Sequence, residues 1–495
     1  MSYRKRIERR KSNFKSKIDL NEARGKRHQQ VVQLSKTKKE EFMMKKRNIF
    51  EKDSNSDSED QSDDAIIQDL QNYVNLVKSE SVHDINSGLY YIRKLVSAEV
   101  DPPIQEANDS QIQFESAWIL TNIASGTKEQ THQVVESGAI PHFVNLLLSE
   151  DTDVQEQSVW AIGNIAGDHV NYRDMLIKLD VVPKILALIP HIQTLDMLRN
   201  ILWAISNLCR GRPKADFSKT MFFLPLLSQF LTHPDTQILI HATTAISYLT
   251  NGPDDDINVC VKANIVTSLV KLLSTQHFKI LTPTLRAIGN IVSGTDEHTN
   301  SVLDCNPLPT LFQLLSNPHN FIRKEVCWII SNITAGTEDQ IMKVLLVDHL
   351  FVKLLEIIQN DAFEIKKEAI WAVSNSITGG TNDQIRWMVQ QNCIKPICDM
   401  LNIDDPKIVG VCLDALQTIL EFGDREQTNA YANYLEEIGA PTIFASLTQS
   451  QNDGIYEKAS EMLYLYFSND ESETNFEDQE NIQESNESKQ NNFQL

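Results

Sequence analysis

The chain has 495 residues, too many for one ordinary hydrophobic core, so several domains or a repeat array are expected. Only 17 Gly and 16 Pro interrupt it and 41% of its residues are apolar, which suits a mostly helical soluble protein. The net charge of −21 hides a division: residues 1–50 hold 17 basic and 5 acidic residues, net +12, and the remainder holds 29 basic and 62 acidic, net −33. A basic arm tied to an acidic body can fold back on that body or engage an acidic partner, and the acidic body argues against nucleic acid as a ligand.

In chain order, the arm 1–50 comes first. Its residues 21–45 have recurring basic side chains and no proline, compatible with a helix formed inside an acidic partner. Residues 51–64, EKDSNSDSEDQSDD, make an acidic, serine-rich linker with no capacity to pack. From 65 to 468 the chain is a repeat array. Six segments align without gaps: SAWILTNIASG (116–126), SVWAIGNIAGD (158–168), ILWAISNLCRG (201–211), TLRAIGNIVSG (284–294), VCWIISNITAG (326–336) and AIWAVSNSITG (369–379). TTAISYLTNG (243–252) fills the gap as a weaker seventh copy, and fainter copies lie at 88–97, 412–423 and 458–468. From Asn122 through Asn164, Asn207, Tyr248, Asn290 and Asn332 to Asn375 the period is 41–43 residues. Pro141, Pro183, Pro225 and Pro309 keep the same phase, each opening an apolar helical run where a first-turn proline costs nothing. Each period thus has at least two helices, one at the proline and one carrying the motif, and a short extra helix fits before the second. A period near 42 lies in the HEAT/armadillo range of about 40–47 residues. The expected fold is all-α, a right-handed superhelical armadillo-repeat solenoid of about ten repeats, followed by an acidic tail at 469–495.

Trp118/Asn122, Trp160/Asn164, Trp203/Asn207, Trp328/Asn332 and Trp371/Asn375 are i, i+4 pairs, one turn apart on one helix face. A tryptophan there could be ordinary core, but a repeated amide without a partner would cost about 1–3 kcal/mol per copy. An amide has donor and acceptor together and can clamp the N–H and C=O of an extended peptide. Neighbouring indoles form slots for Lys or Arg stems, and carboxylates such as Asp168, Glu325 and Glu368 would select the charged heads. This combination describes a receptor for extended basic peptides. Thr244 and Arg286 occupy the tryptophan position in two motifs and Tyr248 replaces one asparagine, so two binding segments, 118–210 and 286–375, are expected on either side of a poor stretch.

EQSVWAIGNIAGD, LRNILWAISNLCR, TLRAIGNIVSGTD, KEVCWIISNITAG and KKEAIWAVSNSITGG closely resemble the repeat motifs of the importin alpha (karyopherin alpha) family, and the resemblance covers about residues 5–468. It implies a nuclear-import adaptor that binds mono- and bipartite basic localisation signals and shuttles between cytoplasm and nucleus through the nuclear pore. By position it assigns a major site to Trp118, Asn122, Gly126, Thr131, Gln157, Trp160, Asn164, Asp168, Trp203 and Asn207. A minor site falls on Arg286, Asn290, Glu325, Trp328, Asn332, Glu368, Trp371 and Asn375. Two departures stand out, His241 for an acidic residue and Thr244 for a tryptophan, which should weaken the C-terminal edge of the major site. The arm, RRKSNFKSK followed by ARGKRHQQVVQLSKTKKEEFMMKKRNIF, is similar to the family's importin-beta-binding region, with a thinner arginine run. Lys45, Lys46 and Arg47 resemble its internal mimic of a localisation signal, an autoinhibitor that importin beta would remove. The last repeat resembles the family's surface for its nuclear-export receptor.

An armadillo scaffold for adhesion or signalling is the nearest alternative, but such a scaffold would more naturally carry a basic groove. An enzyme is not expected. The sequence has no P-loop, HExxH or GxSxG, no metal-ligand spacing and no cofactor motif, and Asp168 and Glu368 are separated by about five repeats. The seven cysteines lack close CxxC pairs and sit mostly in apolar runs, as reduced core thiols would. No stretch of 18 apolar residues exists, and the basic, polar first fifty residues do not read as a signal peptide.

Overall fold

A computed structural model describes residues 110–467 and, ahead of them, 72–79 with 81, 83–85, 87, 88 and 91. The basic arm with Lys45, Lys46 and Arg47, the serine-rich linker and the acidic tail lie outside the described residues. The described residues are helical, without strands, and fall into two units, divided between Leu311 and Phe312.

In the first unit, long motif helices α1 (Ser110–Ala124), α2 (Thr152–Asp168), α3 (Leu195–Leu208), α4 (Thr236–Leu249) and α5 (Phe278–Val292) pack each on the next. Two shorter helices lie between α1 and α2, Lys128–Glu136 and Ala139–Leu146, and Val170–Lys178 and Val181–Leu188 repeat the pattern after α2. In the second unit α6 (Asn320–Thr334), α7 (Phe363–Gly379), α8 (Pro406–Arg425) and α9 (Asp453–Phe467) form a like stack, with Glu338–Leu345 and Leu350–Asn360 between the first two.

The repeat therefore has three helices, and the third is not where the sequence suggested. The short α-helix follows the motif helix; a turn, or at Ile189–His191 and Met400–Asn402 a three-residue 3-10 helix, separates the proline helix from the next motif helix. The reason is local chemistry. At Thr127, Thr337 and Thr381 the hydroxyl accepts from the N–H three residues on, and Gln130, Gln340 or Gln384 at that position returns a bond to the threonine N–H. Thr295 does the same with His298. The preceding glycine leaves room for the returning side chain: a Cβ on Gly336 would fall 1.7 Å from the Gln340 Oε1. At the other turn Asp151, Asp235 and Asp405 each cap a motif helix, accepting from two backbone N–H groups.

Each motif helix buries a double row of aliphatic side chains against its neighbours. Ile162, Ile165, Ile201, Ile205, Ile246 and Ile288 have no exposure, and the proline helices add Phe143 and Ile185. Each such side chain contributes about 1.5–3 kcal/mol, but no single repeat surrounds its own rows, so neighbours are required. Pro141 and Pro183 are third residues of their helices, where the missing N–H has no helical partner to lose.

Ion pairs tie successive motif helices together at their N-terminal ends. Arg199 on α3 grips Asp235, the cap of α4, through Nη2–Oδ2 at 2.5 Å and Nε–Oδ1 at 3.2 Å. In the second unit Arg323 on α6 binds Asp361 through two contacts of 2.7 Å, and Lys367 on α7 reaches the cap Asp405 at 2.9 Å. Arg199, then the capping N–H groups, hold the Asp235 carboxyl down at about 2. A depressed carboxyl stabilises the fold above its ordinary value near 3.8 and loses that contribution as pH falls towards 2. Arg199 is partly exposed, which screens the pair. Asp235→Ala should therefore cost about 1–2 kcal/mol at pH 7. Urea titrations should show the gap between the two proteins closing between pH 4 and pH 2; a gap independent of pH would remove the ion pair from the account.

Candidate peptide-binding face

The motif asparagines follow one rule within each unit. Asn164 on α2 donates from Nδ2 to the Thr121 carbonyl on α1 (3.4 Å), and Asn207 on α3 to the Gly163 carbonyl on α2 (2.9 Å). Asn290 on α5 donates to the Ser247 carbonyl on α4 (3.0 Å) and to the Thr250 hydroxyl (3.3 Å). In the second unit Asn375 on α7 donates to the Ser331 carbonyl on α6 (3.1 Å). Each acceptor is the residue just before the previous helix's motif position. Asn332 instead turns to the Trp328 carbonyl of its own helix, at 3.1 Å.

The amides are thus not without partners, as the sequence reading supposed. At Asn164 and Asn207 one amide hydrogen holds the adjoining helix, which fixes the plane of the side chain, and the amide still carries a second hydrogen and an acceptor oxygen, whereas Asn290 commits its Nδ2 to two acceptors. Asn164 is 2% exposed and Asn207 8%, so these groups lie at the floor of the motif face.

The acceptor position is always small: Thr121, Gly163, Ser206, Ser247, Gly289, Ser331 and Ser374. Trp203 shows why. A Cβ on Gly163 would fall 2.2 Å from its ring, so the indole lies directly on the α2 backbone. This row of small residues was missed in the sequence; the residue preceding each motif asparagine would have shown it.

The other assigned residues fall as follows. Trp118, Asn122, Trp203 and Trp371 are half-buried, while Trp160 and Trp328 are buried. Gly126 lies exposed beyond α1, in the turn that leads to the Thr127 cap. Thr131 is buried, and its hydroxyl donates to the Ala124 and Thr127 carbonyls (3.0 and 3.1 Å), which holds that turn against α1. Gln157 is half-buried, and its carbonyl accepts from the Thr121 hydroxyl at 3.3 Å. Asp168, half-buried, closes α2. Its charge, after burial itself, raises the Tyr172 phenol together with Glu136 and Glu129, so the end of this helix is a negative pocket. Arg286 is half-buried, Glu325 fully buried and Glu368 half-buried. The first unit thus gathers Trp118 through Asn207, and with them Arg286 and Asn290; the second gathers Glu325, Trp328, Asn332, Glu368, Trp371 and Asn375.

The fourth motif is different in kind. Burial pushes His241 down to about 4, with Asp235 opposing, so the imidazole is neutral at pH 7. The Thr244 hydroxyl donates back to the Ile240 carbonyl at 2.6 Å. Burial raises the Tyr248 phenol and two guanidinium groups, Arg210 then Arg286, oppose the shift. The field there is positive.

Among the described residues no group of three His, Cys, Asp or Glu is arranged to hold a metal ion, and no helix is long and apolar enough to cross a membrane. Burial pushes the Cys209, Cys260 and Cys393 thiols up to about 12.

A helical-repeat stack with an amide ladder defines an armadillo-repeat protein. The armadillo/beta-catenin-like repeat matches residues 127–167, 169–210, 253–293 and 381–420, and an atypical armadillo repeat matches 429–484. An importin beta binding domain matches residues 10–89. The fold also matches an engineered protein of known structure, with a TM-score of 0.70 over 80% of this chain and 98% of that one, at 22% identity. Importin subunit alpha-3 of Arabidopsis thaliana is 38% identical over 94% of this chain and 93% of its own. Importin subunit alpha-B of Dictyostelium discoideum is 39% identical over 94% and 95%. The chain belongs to the importin alpha family, nuclear-import adaptors that couple an importin-beta-binding domain to armadillo repeats.

The contact of Trp203 with α2 gives a prediction whose sign is informative. In a helix interior Gly→Ala normally gains up to about 1 kcal/mol. Gly410→Ala in α8, where a Cβ would meet nothing within 4 Å, should show that gain. Gly163→Ala should instead lose about 1–3 kcal/mol through overpacking. Urea denaturation of the two variants checks it, and a gain at both positions would mean Trp203 does not rest on Gly163.

Proposed function

We propose that the motif face binds extended basic peptides, the mono- and bipartite nuclear-localisation signals of cargo proteins, at the two sets of residues assigned above. The observation that carries this reading is the ladder of oriented amides between indoles, held by bonds to the preceding helix. An extended backbone crossing it meets an amide at each repeat that carries the asparagine, and its alternate side chains enter the indole slots. Cation–π attraction supplies about 0.5–2 kcal/mol per lysine or arginine. Asp168 selects the charged head at one slot and half-buried Glu368 acts likewise in the second unit, while Glu325, fully buried, belongs to the same set from beneath the surface. Gly126 and Thr131 shape the turn beside that slot, and Gln157 supports the amide floor. The set built on Trp118–Asn207 is the major site and the set from Arg286 to Asn375 the minor one.

The domain division follows from the charge: 1–50 as importin-beta-binding and autoinhibitory arm, 51–64 as linker, 65–468 as repeat array and 469–495 as tail. Lys45, Lys46 and Arg47 occupy the major site until importin beta binds the arm. The last repeat meets a nuclear-export receptor, and the protein shuttles between cytoplasm and nucleus. It works by binding alone, without catalysis or cofactor.

With a lysine-rich signal peptide, replacing both Trp160 and Asn164 by alanine, or Asp168 by lysine, should weaken binding at least tenfold by calorimetry or fluorescence anisotropy, about 1.4 kcal/mol. Undiminished affinity in both variants sinks the assignment of the face. Separately, protein lacking residues 1–64 should bind the peptide more tightly than the full chain; equal affinity would remove the autoinhibitory role of Lys45, Lys46 and Arg47.

A further inference from the structure

Comparison of the repeats with one another isolates the fourth. In the first unit the positions three residues before the motif tryptophans and their replacements are Glu115, Gln157, Asn200, His241 and Pro283. The side walls are Trp118, Trp160 and Trp203, then Thr244. The slots between Trp118 and Trp160 and between Trp160 and Trp203 each have two aromatic walls. The next, between Trp203 on α3 and Thr244 on α4, has one. Thr244 is half-buried and its hydroxyl is committed to the Ile240 carbonyl, so it presents a methyl group and no hydrogen-bond donor. Thr243 and Ser247 likewise donate into their own helix. The carboxylate that acts on His241, Asp235, is already held by Arg199 and by the Gln237 and Ile238 N–H groups. His241 stands one turn before Thr244 on α4, kept neutral by burial, and Tyr248 stands one turn after it, where Arg210 and Arg286 act with positive charge.

An ammonium group entering this slot would leave water for a place with one indole instead of two, beside a neutral imidazole, an already paired Asp235 and a Tyr248 on which two guanidinium groups act, a loss with little compensation. An uncharged side chain would lose nothing and would rest against Trp203. We infer that Thr244 and His241 make the third slot of the major site selective for a short apolar side chain, so that the ligands of this protein carry a leucine- or valine-like residue beside two basic ones. This inference rests on the reading of the motif face as the peptide groove.

The test is a positional scan on the full-length chain. Each residue of a signal peptide with five consecutive lysines is replaced in turn by leucine, and affinities are measured by anisotropy. Two positions separated by one residue, those entering the slots between Trp118, Trp160 and Trp203, should lose about tenfold each, the size of one good cation–π slot, and the next alternate position, over Trp203 and Thr244, should change by less than about twofold or bind more tightly. In the Thr244→Trp/His241→Asp variant the tolerant position should become a costly one, again by about tenfold. Equal losses at all positions in the unaltered protein overturn the inference, as does a profile the double variant leaves unchanged while it still binds the unscanned peptide. The scan on unaltered protein stands even if the double variant does not fold. Failure of the groove reading is distinguishable: the Trp160/Asn164 double alanine protein would then bind the unscanned peptide as tightly as the unaltered chain.

Discussion

The hydrogen bond from a motif asparagine to the backbone of the preceding motif helix sets the geometry of everything around it. Its acceptor carbonyl belongs to the small residue one position before the motif site, as in Asn207 to Gly163 and Asn375 to Ser331. An amide can reach a helix carbonyl across a packed interface only if the two backbones approach closely, which is why the acceptor carries no large side chain. The same closeness lets Trp203 lie flat on α2. One local requirement therefore fixes the separation of the helices, the plane of each amide and the seat of the indole. A buried amide left without that bond would cost about 1–3 kcal/mol, so the arrangement supports the stack even with no peptide present.

Structural and recognition roles are usually in competition for a polar side chain, and here one side chain can serve both. At Asn164 and Asn207 the bond to the neighbouring helix takes one amide hydrogen, and a peptide would need the other hydrogen and the oxygen. Preorganisation follows: an amide already ordered loses no rotamer freedom when a ligand arrives, which is the cost that normally reduces affinity. The Arg199–Asp235 and Arg323–Asp361 pairs do corresponding work at the other end of the motif helices, where Asp235 is the N-cap of α4 and Asp361 precedes the N-cap Ala362 of α7.

Much of this was legible from the sequence, because repetition turns weak local signals into strong ones. The period of 41–43 residues, the helix at each proline and the i, i+4 pairing of Trp160 with Asn164 all follow from spacing. The misplaced third helix shows the limit of that method. Its start is set by reciprocal bonds between Thr127 and Gln130 and between Thr381 and Gln384, a capping pattern that apolar periodicity does not report. The amide partners were invisible for another reason: they are backbone carbonyls about 43 residues away, and no side-chain motif announces them. Arg173 is a third case. It is fully buried and donates to the Arg210 carbonyl across a repeat, whereas a lone arginine in Val170–Lys178 reads as a solvated charge.

The fourth motif unites these threads, because there the rule is broken in a consistent direction. Tyr248 stands where an amide would, Thr244 where an indole would and neutral His241 where a polar or acidic side chain precedes other motifs. Loss of any one feature alone would leave an imperfect lysine slot. Loss of all three, with Arg210 and Arg286 acting on the Tyr248 phenol, leaves the motif positions of α4 without amide, indole or carboxylate. The helix itself is not compromised, since α4 keeps its Asp235 cap and its fully buried Ala242, Ala245 and Ile246. Stability and ligand selection are thus carried by different faces of one helix. The buried face conforms to the repeat, while the motif face gives up the asparagine bond to the preceding helix along with the indole.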